Sequence, residues 1–315
     1  MISTITLNPS IDKTVYVNKL VCNDTNRVSR VEVDAGGKGI NCSRMLRELG
    51  ADTKALALLG GETGDYIRFV LEREGVCLEA VTTQKPTRIN ICIEDLSGAP
   101  PTTLNERGGP VEHKELVELF ERAKDLGRCS SFVVIGGSVP LGVNPDVHRV
   151  LAQICMAGGA KVVLDADGDA LEEGLKAKPF MIKPNRDEAA RLLGTHFESK
   201  TDVARAAVEL SKRGIELVVI SLGRQGAVAC FDGAIYDAVP PDVEPKSTIG
   251  SGDSLIAGVT CGLEKGLSVE QSLALGCAAG AATALSDGTR IGSRADVDRL
   301  LRDVRVTRAV LTNDV

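Results

Sequence analysis

The sequence predicts a mixed α/β protein whose mostly parallel sheet is covered by helices on both faces. Four short, mostly apolar segments alternate with helical patterns, at residues 132–135, 161–164, 180–182 and 217–221. Continuous apolar strands of this kind are typical of strands buried on both faces. Two other regions, at about 12–34 and 86–107, alternate polar and apolar residues, which indicates a sheet with one exposed face. We expect these two insertions to form a small second sheet, a lid, over one edge of the core.

The remaining elements can be placed in chain order. A first strand at 2–7 ends at Asn8-Pro9-Ser10, since these residues favour a turn, and the first helix ends at Gly50. The other predicted elements are lid strands at 14–17, 28–33, 88–94 and 102–104, core strands at 53–59 and 76–81, and helices at 65–74 and 112–126. No internal repeat or long linker interrupts this order. We therefore expect one domain over residues 1–315, with the lid as its appendage.

Composition excludes several classes of protein. The net charge is −6, aromatic residues are 3% and Trp is absent, so neither a nucleic-acid surface nor an aromatic core is expected. Nine Cys residues without a CxxC pair are typical of a reducing compartment. The low-charge run at 273–285 is too short to span a bilayer, and the N-terminus lacks a basic leader. These observations predict a cytoplasmic protein without membrane or nucleic-acid partners.

The most informative stretch, residues 247–258, is a glycine-rich turn that leads directly into an apolar helix. Gly250 and Gly252 allow successive N–H groups to converge on an anion, and the helix start adds its unpaired N–H groups. Asp253 falls in the first turn of this helix. A carboxylate there can orient an attacking hydroxyl and accept its proton in phosphoryl transfer. Taken alone, the stretch also fits an ordinary helix-capping Asp.

A second glycine-rich turn, at 36–41, also precedes a helix. Its glycines permit close approach of a ligand, and Asn41 offers a donor and an acceptor to hydroxyl groups. The alternative is a simple strand-to-helix turn with a capping Asn. Asp12 follows the first strand, at the edge where open α/β sheets bind ligands, although a turn residue after Pro9 is the simpler interpretation.

Two further patterns have competing interpretations. Arg88 opens the second lid segment, and its planar guanidinium is suited to phosphate, but an Arg on an exposed strand is usually solvated. Asn185 and Glu188 lie on one face of a helix's first turn. They fit a capping box, and they also fit Mg²⁺ ligands that act through water. One geometry can serve both purposes.

From residue 8 to residue 290 the chain resembles the ribokinase-like (PfkB) carbohydrate kinases. The turn at 247–258 is similar to the C-terminal fingerprint of that family, with GSGD in place of the usual GAGD. The turn at 36–41, together with Gly50 and Gly60, is similar to the N-terminal fingerprint. The resemblance implies a ribokinase-like three-layer α/β/α sandwich with a β-sheet lid over the sugar. It also implies a homodimer that pairs through the lids.

The resemblance implies a role for each matching residue. Asp253 would be the catalytic base, and the main-chain amides of Gly250, Ser251 and Gly252 would form an anion hole. With Asp253, the substrate site would comprise Asp12, Gly37, Lys38, Gly39, Asn41, Arg88, Asn90 and Ser138. The ATP site would comprise Lys183, Asn185, Ser221, Gly223, Gly226, Gly252, Ala282 and Ser286. Asn185 and Glu188 would reach Mg²⁺ through water. A monovalent cation, K⁺, would bind backbone carbonyls around Ile249, Thr283 and Gly288.

Within the family, the chain resembles the branch of phosphofructokinases and tagatose-6-phosphate kinases. The TRIN segment at 87–90 is similar to the phosphofructokinase-like members, and the GGKGIN turn at 36–41 and the stretch at 103–110 favour 1-phosphofructokinases. We therefore expect a kinase that uses ATP and Mg²⁺ to phosphorylate a ketohexose phosphate, first of all fructose 1-phosphate. Fructose 6-phosphate and tagatose 6-phosphate stay open, because the segment at 288–290 resembles 6-phosphofructokinases.

Two more distant functions fit the sequence less well. A nucleoside or vitamin kinase of the same fold has a neutral acceptor, which needs no anion clamp such as Arg88 and Lys38. A non-catalytic regulator that binds sugar phosphates would have no need for Asp253 or for the Asn185 and Glu188 pair.

Overall fold

The structure is a computed structural model that describes residues 1–309. Its strands are β1 (Ile2–Thr6), β2 (Ser10–Val17), β3 (Val28–Gly36), β4 (Thr53–Leu59), β5 (Cys77–Thr82), β6 (Arg88–Asp95), β7 (Thr102–Asn105), β8 (Phe132–Gly136), β9 (Lys161–Asp165), β10 (Met181–Ile182), β11 (Leu217–Ser221), β12 (Ala227–Phe231), β13 (Ala234–Val239) and β14 (Arg305–Ala309). Its helices are α1 (Lys38–Glu48), α2 (Gly61–Arg73), α3 (His113–Cys129), α4 (Val147–Ala157), α5 (Gly168–Leu175), α6 (Arg186–Leu193), α7 (Lys200–Ser211), α8 (Ser251–Glu264), α9 (Val269–Ala284) and α10 (Arg294–Leu301).

Ten strands form the main sheet, in the order β14-β13-β12-β11-β10-β9-β8-β1-β4-β5. The strands from β11 to β5 are parallel, whereas β11 to β14 pair antiparallel. The prediction of a mostly parallel sheet is confirmed. The antiparallel extension by β12, β13 and β14 was not predicted from the sequence.

The two faces of the main sheet pack against different helices. On β8, Val133 and Ile135 join the core that lies under α3 to α7, while Phe132 and Val134 join the core under α1, α8, α9 and α10. This alternation follows from the two-residue period of a strand. Because both faces are covered, every residue of β8 is buried, as the apolar run predicted. The result is the expected three-layer α/β/α sandwich.

The small separate sheet has the order β3-β2-β6-β7, so the two predicted insertions do pair with each other. β2 is antiparallel to β3 and parallel to β6, and β7 closes the far edge. Its inner side packs on the main body through Ile11 and Ala35, which contact a core that includes Ile40 and Leu59. The two sheets therefore meet beside the start of α1.

The C-terminal ends of the parallel strands meet at one edge of the main sheet. In an open α/β sheet, ligands bind at this edge. The segments that follow β1, β8, β9, β10 and β11 contain many of the residues singled out in the sequence. Within residues 1–309, no helix is long and apolar enough to cross a membrane.

Candidate active site

Asp253 lies in the first turn of α8 and is 8% exposed. The N-cap of this helix is Gly250, whose φ of 78° is a left-handed conformation that favours glycine. No side chain caps α8, and the Ser251 N–H makes only a long hydrogen bond, of 3.4 Å, to Thr248 O, so the first turn of the helix can still donate to an anion. Asn41 on α1 donates from Nδ2 to Asp253 Oδ2 at 2.9 Å. The two glycine-rich turns found in the sequence therefore meet at one carboxylate.

The turn at 36–41 places α1 close to β1. Gly37 is the N-cap of this helix, and a Cβ at Gly39 would lie 2.4 Å from Thr6 Oγ1. Only a residue without a side chain allows this approach of the helix to the strand. The consequence is that Lys38 and Asn41, in the first turn of α1, lie at the edge of the sheet beside Asp253.

A second buried carboxylate, Asp165, ends β9 and is 2% exposed. Its Oδ1 lies 3.2 Å from Lys38 Nζ and 3.4 Å from Lys183 Nζ, so two cations share one carboxylate. Lys183 is also close to the anion hole, because a Cβ at Gly252 would lie 3.3 Å from its Nζ. The sequence analysis named both lysines but not Asp165. A carboxylate at the end of an apolar parallel strand was the signal that could have found it.

The charges of this cluster set the protonation state of each member. Burial raises the pKa of Asp253 to about 6, and the charge of Asp165 adds to the rise. Lys38, Asn41 and Lys183 act in the opposite direction. Burial also raises the pKa of Asp165, but Lys183 and Lys38 outweigh it and bring this pKa below its usual value. At neutral pH, Asp165 is thus an anion, and the pKa of Asp253 is close to the value that suits a general base.

A cleft of about 280 Å³, which we call the large cleft, opens beside the anion hole. Ser251 and Gly252 of α8 line this cleft, together with the apolar residues Pro240, Pro241 and Val243. The predicted ATP-site residues that line it are Asn185, Ser221, Gly223, Gly226 and Gly252. A cleft lined both by apolar side chains and by the start of a helix is suited to a nucleotide.

Asn185 and Glu188 form a reciprocal capping box at the start of α6. The Asn185 N–H donates to Glu188 Oε2, and the Glu188 N–H donates to Asn185 Oδ1, both at 2.8 Å. Asn185 also lines the cleft, and the charge of Glu188 raises the pKa of Lys38, which burial alone would lower. In the described part of the chain, no three His, Cys, Asp or Glu residues form a metal cluster. The metal role of this pair stays a prediction.

On the lid, Asp12 of β2 is held by its neighbours. Ser10 Oγ and Asn90 Nδ2 donate to Asp12 Oδ1 at 2.8 and 2.9 Å. The rest of the carboxylate lies against Gly36 on β3, where a Cβ would be 2.1 Å from Asp12 Oδ2. Burial raises the pKa of Asp12, although these hydrogen bonds oppose the rise. Ser10 was not predicted as a site residue, because its role depends on this contact.

Asp12 and Asn90 line a second cavity, of about 230 Å³, between the lid and the core. Ile249 and Thr289 form its wall on the core side. We call it the lid cavity. Because Ile249 faces the lid cavity while Ser251 and Gly252 of the same turn line the large cleft, the anion hole separates the two spaces.

Arg88 begins β6 and is held by carbonyl oxygens. Its Nη1 donates to Glu106 O at 2.7 Å and to Asn90 Oδ1 at 3.3 Å, and its Nε donates to Asn8 O at 3.3 Å. Asn8 also donates from Nδ2 to Ser138 Oγ at 3.0 Å. The structure thus brings Arg88 and Ser138 together through Asn8, a link that the sequence does not display. A guanidinium fixed in this way is suited to an anion.

Some predicted site residues lie outside both cavities. Ala282 packs into the core on one side of α9, and Ser286 follows the end of that helix. Of the three residues expected at a monovalent cation, Ile249 lines the lid cavity. The Thr283 carbonyl accepts the Ser286 N–H at 3.0 Å, and Gly288 packs against the lid. The roles of these residues stay predictions.

Together, these features define a class of enzyme: a kinase that transfers a phosphoryl group from a nucleotide to a hydroxyl. A carboxylate whose pKa is raised to about 6 lies beside N–H donors and lysines, directly after the turn that lines two cavities. The model of the pfkB family carbohydrate kinases matches residues 5–296. The chain belongs to this family.

Individual relatives agree with this class. The chain is 34% identical to the 1-phosphofructokinase of Bacillus subtilis (strain 168), over 98% of this chain and 100% of the relative. It is also 34% identical to the 1-phosphofructokinase of Borreliella burgdorferi, over 97% and 98%. The structure of Escherichia coli phosphofructokinase-2 with substrates and products has a TM-score of 0.91 at 29% identity, covering 96% of this chain and 98% of that one. The same enzyme in complex with potassium has a TM-score of 0.90. The expected family and ribokinase-like fold are confirmed.

Proposed function

We propose that this protein is an ATP-dependent kinase of fructose 1-phosphate that forms fructose 1,6-bisphosphate. The observation that carries the proposal is the position of Asp253, which directly follows a turn that lines both cavities: Ile249 lines the lid cavity, and Ser251 and Gly252 line the large cleft. The two 1-phosphofructokinases at 34% identity support this choice of phosphosugar.

In this proposal, Asp253 orients the C6 hydroxyl of the sugar toward the γ-phosphate of ATP and accepts its proton. The amides of Gly250, Ser251 and Gly252 stabilise the negative charge on the transferring group. Lys183 adds a positive charge beside Gly252. Since the transition state is loose and the proton leaves late, orientation of the hydroxyl matters more than the strength of the base.

The sugar would occupy the lid cavity. The hydrogen bonds of Asp12 involve only Oδ1 within residues 1–309, so its Oδ2 is left to accept from a sugar hydroxyl. Asn41 would contact a hydroxyl beside Asp253, at the turn formed by Gly37 and Gly39. The phosphate would bind the guanidinium of Arg88 and the hydroxyl of its neighbour Ser138, with Lys38 nearby, because these groups supply donors and positive charge.

ATP would occupy the large cleft, with its phosphates at the anion hole and its base against Pro240 and Pro241. Mg²⁺ would arrive with ATP and neutralise charge on the phosphates. Asn185 and Glu188 fit this ion as outer ligands, because Asn185 lines the cleft and the capping box holds the Glu188 carboxylate beside it. Ala282 of α9 and Ser286, which follows that helix, would act from beyond the cleft lining.

A monovalent cation and a dimer complete the proposal. K⁺ at the carbonyls around Ile249, Thr283 and Gly288 is supported by the potassium complex of the Escherichia coli enzyme. Replacing potassium chloride by tetramethylammonium chloride should then lower kcat; an unchanged rate would contradict the cation site. A homodimer through the lids is supported by exposed apolar side chains on β3 and β7, namely Val28, Val31, Val33 and Leu104. Analytical ultracentrifugation of the wild type and of a Val31→Lys variant would test it.

A panel of acceptors tests the substrate. We would compare kcat/KM for fructose 1-phosphate, fructose 6-phosphate, tagatose 6-phosphate and free fructose in one coupled ADP-release assay. The expected result is a preference of at least about tenfold for fructose 1-phosphate. The structure of Escherichia coli phosphofructokinase-2 in complex with fructose-6-phosphate, with a TM-score of 0.89 at 28% identity, favours fructose 6-phosphate as the second candidate. A preference for either 6-phosphate would refute the 1-phosphate assignment, and a preference for free fructose would also refute the phosphate clamp. No turnover of any acceptor would favour a non-catalytic regulator.

A further inference from the structure

The loop between α9 and α10 contacts the lid through a hydrogen bond that the proposed function does not use. Thr289 in this loop is 2% exposed, and its Oγ1 donates to Oδ2 of Asp34 on β3 at 3.0 Å. Asp34 is itself 8% exposed. The two residues are 255 positions apart in the sequence, so this buried contact joins the core to the lid.

The loop can approach the lid closely because Gly288 precedes Thr289. Gly288 has φ 62°, and a Cβ there would lie 2.6 Å from Glu32 Oε2 and 3.4 Å from Thr14 Oγ1. These two side chains belong to β3 and β2. The loop therefore lies against two neighbouring lid strands, and the hydrogen bond of Thr289 is one part of a wider contact.

Asp34 is linked to the sugar-binding side of the lid through the sheet. It is the direct partner of Asp12 in the antiparallel pairing of β2 with β3. Two residues further along β3, Gly36 forms the wall against which the Asp12 carboxylate lies. Any shift of this end of β3 would therefore move the wall behind Asp12. Thr289 also lines the lid cavity together with Asp12, so the contact is at the edge of the same space.

We propose that Thr289 and Asp34 are positioning residues for the sugar: their hydrogen bond holds the end of β3, and with it Asp12, in the orientation that binds the acceptor. The inference rests on the proposed function, because it takes the lid cavity as the phosphosugar site. A hydrogen bond to a buried carboxylate is stronger than one between neutral groups, and removing its donor leaves the charge without its partner.

The variant Thr289→Val tests this, because it removes the hydroxyl and keeps the shape of the side chain. We expect the KM for the phosphosugar to rise about tenfold or more, as for loss of a hydrogen bond to a charged group. The kcat and the KM for ATP should stay within about twofold, because neither the anion hole nor the large cleft is touched. Thr289→Ser keeps the hydroxyl and should restore the phosphosugar KM to within about threefold of the wild type.

Ser29→Ala is the matched control. Ser29 is on the same strand, β3, and its Oγ donates to Tyr16 O within the lid, so the variant removes a lid hydroxyl without touching the core. It should leave every kinetic constant within about twofold.

A phosphosugar KM of Thr289→Val within about twofold of the wild type would overturn the proposal. A fall in kcat together with similar rises in the KM values for the phosphosugar and for ATP would also overturn it, because this pattern indicates a general structural role. If Thr289→Val does not fold, Asp34→Asn keeps an acceptor but removes the charge, and an unchanged phosphosugar KM in that variant would overturn the proposal instead. The wild-type acceptor panel tests the proposed function separately. The expected KM ratio holds for whichever phosphosugar the wild type prefers.

Discussion

Replacing Asp253 by Asn gives the most direct test of the site. The substitution removes the charge and the proton-accepting oxygen but keeps the size of the side chain. Asn41 Nδ2 donates to Asp253 Oδ2 at 2.9 Å, and an amide oxygen can accept the same hydrogen bond, so the first turn of α8 should keep its geometry. General base catalysis contributes roughly 10²- to 10⁴-fold, and we expect kcat of Asp253→Asn to fall by about 10³-fold or more. The KM for ATP and for the phosphosugar should change little, because the carboxylate acts mainly in the transition state.

The measurement is steady-state kinetics by coupled ADP release, with both substrates varied. Glu270→Gln serves as a control, because Glu270 is also an acidic residue in the first turn of a helix, α9, which packs against α8. This variant should keep the wild-type kcat. If Asp253→Asn retained more than about a tenth of the wild-type kcat, the carboxylate would not be the group that handles the acceptor hydroxyl.

The pH profile provides a second measurement on the same residue. Only the ionised carboxylate can accept a proton, and burial together with Asp165 raises the pKa of Asp253 to about 6. We therefore expect kcat/KM to fall about tenfold per pH unit below pH 6 and to level off above it. The residual activity of Asp253→Asn should lack this acidic limb. A wild-type profile that is flat from pH 5 to pH 7 would contradict the assignment.

Three further predictions test other parts of the structure. Arg88→Ala should weaken phosphosugar binding by roughly 2–4 kcal/mol with little change in the KM for ATP; an unchanged phosphosugar KM would show that Arg88 does not bind the phosphate. Ser251→Ala should keep kcat within about threefold, because the anion hole consists of main-chain amides, and a loss above tenfold would assign a role to the hydroxyl. Burial lowers the pKa of His148 to about 4. The unfolded chain therefore binds a proton at His148 more readily than the folded protein, and the free energy of unfolding should fall by about 3 kcal/mol as pH falls from about 6.5 toward 4. In urea unfolding, His148→Leu should remove this part of the pH dependence.

The parallel strands could be predicted because burial on both faces is recorded in each strand's own residues. β4 and β11 have the bounds that the sequence predicted, 53–59 and 217–221. β12 and β13 were missed although a local signal exists: Asp232-Gly233 joins two apolar runs, and both residues have positive φ, at 48° and 73°. Such an Asp-Gly pair indicates a two-residue hairpin. β14 could not be found in this way, because its pairing with β13 depends on a contact far along the chain.

The residues of the candidate site fall into the same two groups, those with a local sequence pattern and those without one. Gly250, Asp253 and the Asn185 and Glu188 pair were visible because a turn followed by a helix start is a local pattern. Within the described residues, Asp165 contacts two lysines, and Asn8 contacts Ser138. These contacts join segments that are more than a hundred residues apart or that follow different strands. No local pattern specifies them. The sequence therefore predicted which groups are present, and the structure shows which of them touch.

Asp165 is the missed residue with the largest consequence, because it acts on Asp253 in two ways. Without it, Lys38 and Lys183 would both be free to stabilise the ionised form of Asp253, which would lower its pKa and weaken it as a base. With it, two cations face two carboxylates, and the cluster is neutral while Asp253 is ionised. When Asp253 accepts a proton, the cluster becomes positive by one charge. In the proposed mechanism this gain in positive charge would occur beside the anion hole, where negative charge would accumulate on the transferring group, so the proton transfer and the phosphoryl transfer would favour each other.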